Sequence, residues 1–366
     1  MSDIIYKIAF SSLKGITIQT AKTLLEKVGS EKEFFTLREA ELKNLTSTSS
    51  PLFADEVRRK VVEDAQKEYE FINRNNISMV YFNDEIFSER LLQCEDAPLM
   101  LYGVGECDLN SAHILSIVGT RNATSYGIGF TQKLVEDLAN KIDNLVIISG
   151  LAYGIDIAAH RAALKAGVPT IAIVANGLST VYPTVHRNDA AEIVRRGGMI
   201  LTEYYHDDPI HRSKFLARNR IVAGMADGIV VVESARKGGA MRTAQLATDY
   251  GREVMALPGR ISDIYSRGCN HLIANSTAAL IESADDLIAA MKWTQILTSG
   301  TQAEIKFDFT PEEQKIIDYL RFYGDTPRNK LSIEINIPIS RLSSILTDLE
   351  FVEAVECIPG GKIRLK

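Results

Sequence analysis

The chain has 366 residues, of which 46% are hydrophobic and 24% are charged, and its net charge is −6. This length predicts two or three domains with ample core. No run of about 18 apolar residues occurs, which argues against a membrane-spanning helix, and the N-terminus does not read as a signal peptide. The cysteines are scattered without a Cys-x-x-Cys pair, so we expect reduced thiols in the cytoplasm and no metal site.

Residues 1–75 are predicted to form a small helical domain. In LKGITIQTAKTLLEKVGS, a glycine turn precedes apolar residues at helical spacing, a pattern typical of a helix-hairpin-helix or SAM-like domain. Such units contact either the DNA backbone or other proteins, and protein contact is favoured here. STSSP at 47–51 predicts a turn, and a polar helix is expected at about 53–75.

Residues 76–295 are predicted to form a second, α/β domain. Between 114 and 257, short apolar runs alternate with helical stretches, and the runs read ILSIV, LVIIS, TIAIV, MILT, GIVVV and EVMAL. This alternation predicts a doubly wound, Rossmann-like parallel sheet covered by helices on both faces. In such sheets, ligands bind beyond the carboxyl ends of the strands.

A linker is predicted at TSGTQAE near 298–304, followed by a winged-helix-like domain at 305–366. Three helical stretches and a hairpin with a Pro-Gly-Gly turn support this assignment. The domain has nine basic and ten acidic residues, and its presumed recognition helix, ISRLSSILTDLE, has Arg341 as its one cation. A helix that reads the major groove usually presents more basic and amide groups, so a protein-contact or regulatory role is favoured over DNA contact.

Positive charge is concentrated in one part of this acidic chain. Residues 211–260 contain nine basic and four acidic side chains, a local charge of +5, as an anion-binding surface requires. Within this part, Arg218 and Arg220 stand just before a buried strand. They either line an anionic groove or form structural ion pairs. Phe215 beside them suits stacking on an unpaired base, but it would be equally ordinary in a core.

The first of three glycine-bearing turns that follow strands is VGTRNATSYGIG, at 118–129. Gly119 permits a close backbone approach to a ligand, and Arg121 offers a guanidinium suited to phosphate. Thr120, Thr124 and Ser125, with free N–H groups at the start of a helix, are expected to cradle a phosphate. The spacing is not Gly-x-Gly-x-x-Gly, so no dinucleotide cofactor is predicted.

The second turn, SGLAYGIDIAAHRAAL, starts with Ser149 and Gly150, where the same close approach is expected. Asp156 and His160 are four residues apart on one helix face. They form either a metal or acid–base pair or a structural hydrogen bond. The hydrogen bond is favoured because no third ligand is suitably spaced.

The third turn, ESARKGGAMRTAQLA, places Lys237 and Arg242 beyond another strand end. Three such turns converge at one edge of a parallel sheet. The segment HRSKFLARNR, with Arg212 and Lys214, precedes the strand that leads into this turn. The sequence therefore predicts one extended anionic groove.

Taken in order, these segments closely resemble the DprA (Smf) family of DNA-processing proteins over about residues 90–290. The resemblance rests on IVGTRNATSYG, ISGLAYGIDIAAH, ANGLSTVYP, GGMILTEY, KFLARNRIVAGMADGIVVVES, GREVMALPG and SRGCNHLIA. It implies a non-enzymatic, homodimeric protein that binds single-stranded DNA without a cofactor. It also implies protection of incoming DNA during natural transformation, in competent cells, and loading of RecA recombinase for recombination.

The resemblance also implies residue roles. Arg121 is similar to the family's phosphate-binding arginine, Arg212 stands where the family often has a phosphate-contacting lysine, and Phe215 is similar to its base-contacting aromatic. Arg218, Asn219 and Arg220 match its Arg-Asn-Arg element, in direct contact or in support. Two departures affect these expectations: KGGAMRT replaces a hydroxyl-rich turn, and Asn275-Ser276-Thr277 replaces a small pair near the dimer contacts.

The alternative function is that of a nucleotide-processing phosphoribohydrolase. Those enzymes have a similar Rossmann-like fold, a PGGxGT-type loop and a nearby catalytic glutamate. This chain has KGGAMRT with no acid in the next five residues, and only Glu203 and Glu233 stand suitably at strand ends. Cleavage of a glycosidic bond is therefore poorly supported, and we predict that the protein is not an enzyme.

Overall fold

A computed structural model of the chain describes residues 3–295, 309–352, 354–358 and 361–366. The chain divides into two units, Met1–Thr298 and Ser299–Lys366. The linker expected near 298–304 lies outside the described residues. Among the described helices, none combines the length and the apolar composition needed to cross a membrane.

The first unit begins with five helices: α1 (Asp3–Ser11), α2 (Ile18–Val28), α3 (Glu31–Thr36), α4 (Glu39–Thr46) and α5 (Asp55–Arg74). The helical prediction for this region is confirmed, and α5 is the polar helix expected at 53–75. Ile8 and Ile72 from these helices share one hydrophobic core with Leu101 of the following sheet. The domain boundary at residue 75 and the helix-hairpin-helix or SAM-like assignment stay predictions.

The sheet of the first unit has nine strands in the order β1-β2-β6-β5-β4-β3-β7-β8-β9. They are β1 (Ser78–Tyr81), β2 (Met100–Gly105), β3 (His113–Val118), β4 (Leu145–Ser149), β5 (Thr170–Ile173), β6 (Met199–Thr202), β7 (Gly228–Val231), β8 (Glu253–Ala256) and β9 (Ala279–Leu280). The strands from β6 to β9 in this order pair in parallel, which confirms the doubly wound prediction. At the other edge β1 and β2 pair antiparallel, and the sequence pattern did not predict them because no long helix joins them.

Helices cover both faces of this sheet. They are α6 (Glu89–Leu92), α7 (Ser125–Ala139), α8 (Ile155–Ala166), α9 (Arg187–Arg195), α10 (Arg212–Gly224), α11 (Gly239–Asp249), α12 (Arg267–Ala274) and α13 (Ala284–Met291). Successive residues of β3 enter different cores, Ile114 on one face and Leu115 on the other. Burial on both faces explains why the strands read as continuous apolar runs.

The order of the strands reverses beside β3. The chain builds β3, β4, β5 and β6 outward in one direction and then returns through α10 to place β7 on the other side of β3. At the carboxyl ends of these two neighbouring strands, the turns after β3 and β7 therefore lead in opposite directions and leave a space between them. Open α/β sheets bind ligands at this point.

The second unit contains α14 (Pro311–Tyr323), β10 (Thr326–Pro327), α15 (Arg328–Glu334), α16 (Ile339–Phe351), β11 (Val355–Ile358) and β12 (Lys362–Leu365). Its strands form an antiparallel sheet in the order β10-β12-β11. Arg341, the cation of α16, forms an ion pair with Glu312 at 2.8 Å. The winged-helix assignment stays a prediction, and Pro359 and Gly360 of the expected turn lie outside the described residues.

Candidate nucleic-acid interface

An open cleft of about 800 Å³ lies beyond the carboxyl ends of β3 and β7. The turns after these two strands, α10 and the first turn of α11 line it. The structure brings nine of the predicted site residues together here: Gly119, Thr120, Arg121, Arg212, Phe215, Arg218, Asn219, Lys237 and Arg242. These residues are distant in sequence, but the sheet places the two turns side by side at the switch point, where the strand order reverses.

Four exposed cations line the cleft: Arg121, Arg212, Lys237 and Arg242. Within the described part of the chain, none of the four forms an ion pair with an acidic side chain. Cations that no neighbouring carboxylate neutralises create a positive potential in a concave surface. The cleft is therefore suited to an extended anion.

Two aromatic rings lie among these cations. The Arg121 guanidinium carbon is 5.5 Å from the ring centroid of Phe215. Tyr182, which is 38% exposed, lies edge-on to the same ring, with 5.6 Å between centroids and 62° between planes. Phe215 thus lines the cleft and is only half-buried. An aromatic ring beside a guanidinium is a surface on which a nucleobase can stack.

The turn after β7 adds a helix N-terminus to the cleft. Helix α11 begins at Gly239, and its N-cap residue, Gly238, supplies no side-chain hydrogen bond. Lys237 precedes this point, and Arg242 lies in the first turn. The start of a helix carries partial positive charge and unpaired N–H groups that favour phosphate. The KGGAMRT turn therefore offers charge and backbone donors in place of hydroxyl groups.

The N-terminus of α7 differs, because an internal carboxylate binds Thr124, one of the residues expected to cradle a phosphate, while Thr120 lines the cleft. The carboxylate of Glu233 accepts hydrogen bonds from the backbone N–H of Thr124 at 2.8 Å and from its hydroxyl at 2.6 Å. Glu233 is buried and approaches Gly127 so closely that a Cβ there would lie 2.4 Å from its Oε2. An internal carboxylate thus occupies the place where a phosphate was expected.

Beneath the exposed cations lie a buried arginine and a buried aspartate that interact electrostatically. Arg218 is 5% exposed and Asp156 is 8% exposed, and both line the floor of the cleft. Burial lowers the pKa of Arg218, and the nearby Asp156 opposes this change. The Arg218 guanidinium packs against Gly150, where a Cβ would lie 1.7 Å from Nη1. Gly150 thus leaves room for a buried cation, which is a different role from close approach to a ligand.

The expected hydrogen bond between Asp156 and His160 is wrong. His160 is fully buried, and its Nδ1 contacts the Thr170 hydroxyl at 2.8 Å. Asp156, in the first turn of α8, instead lines the cleft with Arg218, and the charge of Arg218 opposes the rise in the pKa of Asp156 that burial causes. Four-residue spacing does place both on one helix face. Asp156, however, lies at the cleft, whereas His160, one helical turn further along, packs against Thr170 of β5.

The buried imidazole predicts a pH effect on stability. Burial, with the positive charge of Arg218, lowers the pKa of His160 from 6.5 to about 3. Below about pH 6.5, His160 becomes protonated in the unfolded chain but stays neutral in the folded chain. Stability is therefore lost as the pH falls below that value. Between pH 7 and pH 5, His160 alone should lower the free energy of unfolding by about 2 kcal/mol. Urea unfolding at both pH values checks this, since His160→Gln should remove that part of the difference; an equal difference in both proteins would contradict it.

Other predicted residues lie outside the cleft lining. The Ser149 hydroxyl is buried and donates to the carbonyl oxygen of Ile117 at 2.6 Å. Lys214 Nζ lies 3.1 Å from Asp208 and 4.6 Å from the ring centroid of Tyr204. Arg220 donates to the carboxylate of Glu203. The two arginines of the Arg-Asn-Arg element are thus separated, because Arg218 underlies the cleft and Arg220 forms a structural ion pair. DNA contact by Ser149, Gly150, Lys214 and Arg220 stays a prediction.

Sequence reasoning missed several residues of the cleft. Tyr182, Ile210, Leu216 and Tyr265 line it together with Asp156. Tyr182 follows β5, and its position after the carboxyl end of a parallel strand is a signal that could have indicated it. The Tyr265 hydroxyl accepts a hydrogen bond from the Asn122 side chain at 2.9 Å, which links segments 143 residues apart, a contact that no sequence pattern indicates.

The chain is similar to known proteins over most of its first unit. A family model described as DNA recombination-mediator protein A matches residues 78–292. Protein Smf of Escherichia coli is 31% identical over 81% of this chain and 79% of its own length. DNA processing protein DprA of Streptococcus pneumoniae is 35% identical over 63% of this chain and 79% of its own length.

Solved structures are similar as well. The X-ray structure of DprA from Streptococcus pneumoniae matches with a TM-score of 0.65 and 30% identity, covering 79% of this chain and 98% of that one. A structure that gives insight into the single-stranded DNA binding mode of DNA processing protein A from Helicobacter pylori matches with a TM-score of 0.53 and 32% identity. It covers 59% of this chain and 95% of that one.

Proposed function

The chain belongs to the family of DNA recombination-mediator protein A, and we propose that its cleft binds single-stranded DNA without chemical change. One observation carries the proposal: four exposed cations, which have no acidic partner among the described residues, surround an aromatic pair where the strand order of the sheet reverses. Cations bind the phosphates of a nucleic acid, and aromatic rings stack on its unpaired bases. A small anionic metabolite would not need cations spread over three segments of the chain.

The cleft divides these tasks among its residues. Arg121, Arg212, Lys237 and Arg242 bind successive phosphates, together with the start of α11. Phe215 and Tyr182 contact a base that is turned out of the strand. A paired base within a duplex is stacked between its neighbours and is not available for such contact. The geometry therefore favours a single strand over a duplex.

We extend the proposal to the biological setting on the family resemblance. The bound strand is DNA taken up during natural transformation, the protein protects it and loads RecA recombinase on it, and the working form is a cytoplasmic homodimer. Support for these steps comes from membership in the family.

The contacts of the candidate carboxylates support binding rather than hydrolysis. Glu203 accepts a hydrogen bond from Arg220, Glu233 accepts two from Thr124, and Asp156 faces Arg218. A carboxylate held in these contacts is poorly placed to attack or protonate a glycosidic bond. The phosphoribohydrolase alternative therefore gains no support from the side chains at the strand ends.

Fluorescence anisotropy with a labelled oligothymidine, titrated across salt, tests the proposed function. Four phosphate contacts predict a slope of log K against log salt of about −3 for a single strand. The matching duplex should bind more weakly under the same conditions. A protein that binds neither form at low salt, or that prefers the duplex, would contradict the proposal.

A further inference from the structure

The helical N-terminal region contacts the segment that leads into α10. This β6–α10 segment comprises residues 203–211. Glu68 of α5, 2% exposed, accepts hydrogen bonds from the backbone N–H of His206 through both carboxylate oxygens, at 3.1 and 3.0 Å. His206 Nδ1 lies 2.5 Å from the same carboxylate. A buried carboxylate of the N-terminal region thus contacts both the backbone N–H and the side chain of one residue in the β6–α10 segment.

Two further contacts join the same regions. The imidazole of His206 stacks on Phe71, with 4.0 Å between centroids and 11° between planes. The hydroxyl of Tyr205 donates to the carbonyl oxygen of Ile8 at 3.1 Å. Helices α1 and α5 therefore both hold the β6–α10 segment, over adjacent residues.

On its other side, this segment is tied to the residues that line the cleft. Asp208 forms an ion pair with Lys214 of α10 at 3.1 Å, and only three residues lie between Asp208 and Arg212. So short a connection leaves little freedom for the start of the helix. The first turn of α10 carries Arg212 and Phe215 into the cleft.

His206 also anchors the opposite aromatic side of the cleft. Its carbonyl oxygen accepts a hydrogen bond from the Ser179 hydroxyl at 2.5 Å. Three residues further along, the same loop carries Tyr182. A displacement of His206 would therefore change the position of both rings that contact a base.

A metal ion is a weaker reading of this cluster. Ligand atoms of Glu68, His206 and Asp207 lie within 4.8 Å of one another. Both oxygens of Glu68, however, accept hydrogen bonds from a backbone N–H, which a metal ion cannot replace as a donor. The contact fits an anchor for the main chain better than a coordination site.

We propose that Glu68, a residue outside the cleft, is a positioning residue for strand binding, because it holds His206 so that Arg212, Phe215 and Tyr182 face the cleft. The inference rests on the proposed function. It gives the helical N-terminal region a direct part in DNA binding without contact to the DNA.

The test compares Glu68→Gln with Glu70→Gln in the full chain. Glu70 is an exposed residue of the same helix. Glutamine at position 68 keeps the shape but loses the charge, so affinity for oligothymidine should fall by about tenfold. Glu70→Gln should stay within about twofold of the unchanged protein. Circular dichroism establishes that each variant is folded. Phe71→Leu, which removes the stacked ring and keeps an apolar side chain, should weaken binding in the same direction.

A double-mutant cycle separates positioning from a general loss of stability. If Glu68 acts through α10, its effect should become clearly smaller once Phe215→Ala is present, and it should add to the effect of Lys237→Ala on the far side of the cleft. Full additivity with Phe215→Ala, or unchanged affinity of Glu68→Gln and Phe71→Leu, would overturn the inference. Absence of binding by the unchanged protein would instead overturn the proposed function.

Discussion

Replacing Arg121 and Phe215 together by alanine is expected to weaken oligothymidine binding by about two orders of magnitude. Loss of a charged hydrogen bond to a phosphate costs about 1.5–3 kcal/mol, and loss of base stacking costs about 1–3 kcal/mol. Because the guanidinium of Arg121 lies over the ring of Phe215, the two single effects should not simply add. Fluorescence anisotropy of the single and double variants measures both quantities.

Salt dependence assigns the separate roles of these two residues. Arg121→Ala removes one phosphate contact, so the slope of log K against log salt should become shallower by about 0.7. Phe215→Ala removes stacking and should leave the slope unchanged while it weakens binding. An unchanged slope in Arg121→Ala would show that this arginine does not contact phosphate.

Lys165→Ala is the matched control for the cleft variants. Lys165 is an exposed cation in the last turn of α8 and lies outside the cleft lining. Its removal should change affinity by less than about twofold, because salt screens exposed charges that lie far from the bound strand. A loss as large as that of Arg121→Ala would mean that positive charge contributes in bulk, and the assignment of individual phosphate contacts would be wrong.

The second large effect is expected on stability, at Asp156. Asp156→Ala removes the carboxylate whose charge favours the buried cation of Arg218, so the free energy of unfolding should fall by about 2–3 kcal/mol, the cost of leaving a buried charge less compensated. Urea unfolding followed by circular dichroism measures this change. Asp189→Ala is the control, since its partner Arg161 is 57% exposed, and an exposed pair contributes at most about 1 kcal/mol.

A double variant identifies the cause of that loss. Asp156→Ala combined with Arg218→Met removes both buried charges, and it should recover part of the stability that Asp156→Ala loses. If the stability that the double variant loses equals the sum of the losses of the two single variants, the two side chains do not interact. Such additivity would contradict the charge pair.

The parallel core of the fold could be predicted because its signal is local. Each run from ILSIV to EVMAL is apolar on both faces, and burial of both faces occurs in parallel sheets between helices. The edge strand β1 and its neighbour β2 were not predicted, because no long helix joins them and the pairing of β2 with β6 depends on contacts distant in sequence. The turns beyond β3 and β7 could be identified as a site because parallel strands end at one edge.

Individual side chains within the site were harder to place. Lysine, arginine and phenylalanine in KFLARNR indicate an anionic ligand but do not tell which arginine reaches it. Tertiary packing decides this, since Glu203 accepts a hydrogen bond from Arg220, and Arg218 is buried where it interacts electrostatically with Asp156 of α8. For the same reason, the sequence predicted free N–H groups at the start of α7, but Glu233, which is 109 residues away in the chain, accepts the hydrogen bond from the N–H of Thr124.

By itself the sequence determined the strand–helix alternation, the concentration of positive charge and the edge of the sheet at which it gathers, since all three follow from residue type and short-range periodicity. The tertiary structure decided which cations remain without acidic partners, which rings face each other and how the N-terminal helices reach His206. These depend on distances between residues far apart in the chain. A cation attracts an external anion strongly only where no internal carboxylate neutralises it. Tertiary packing therefore decides which of the cations in the sequence are available to bind an anion in the cleft.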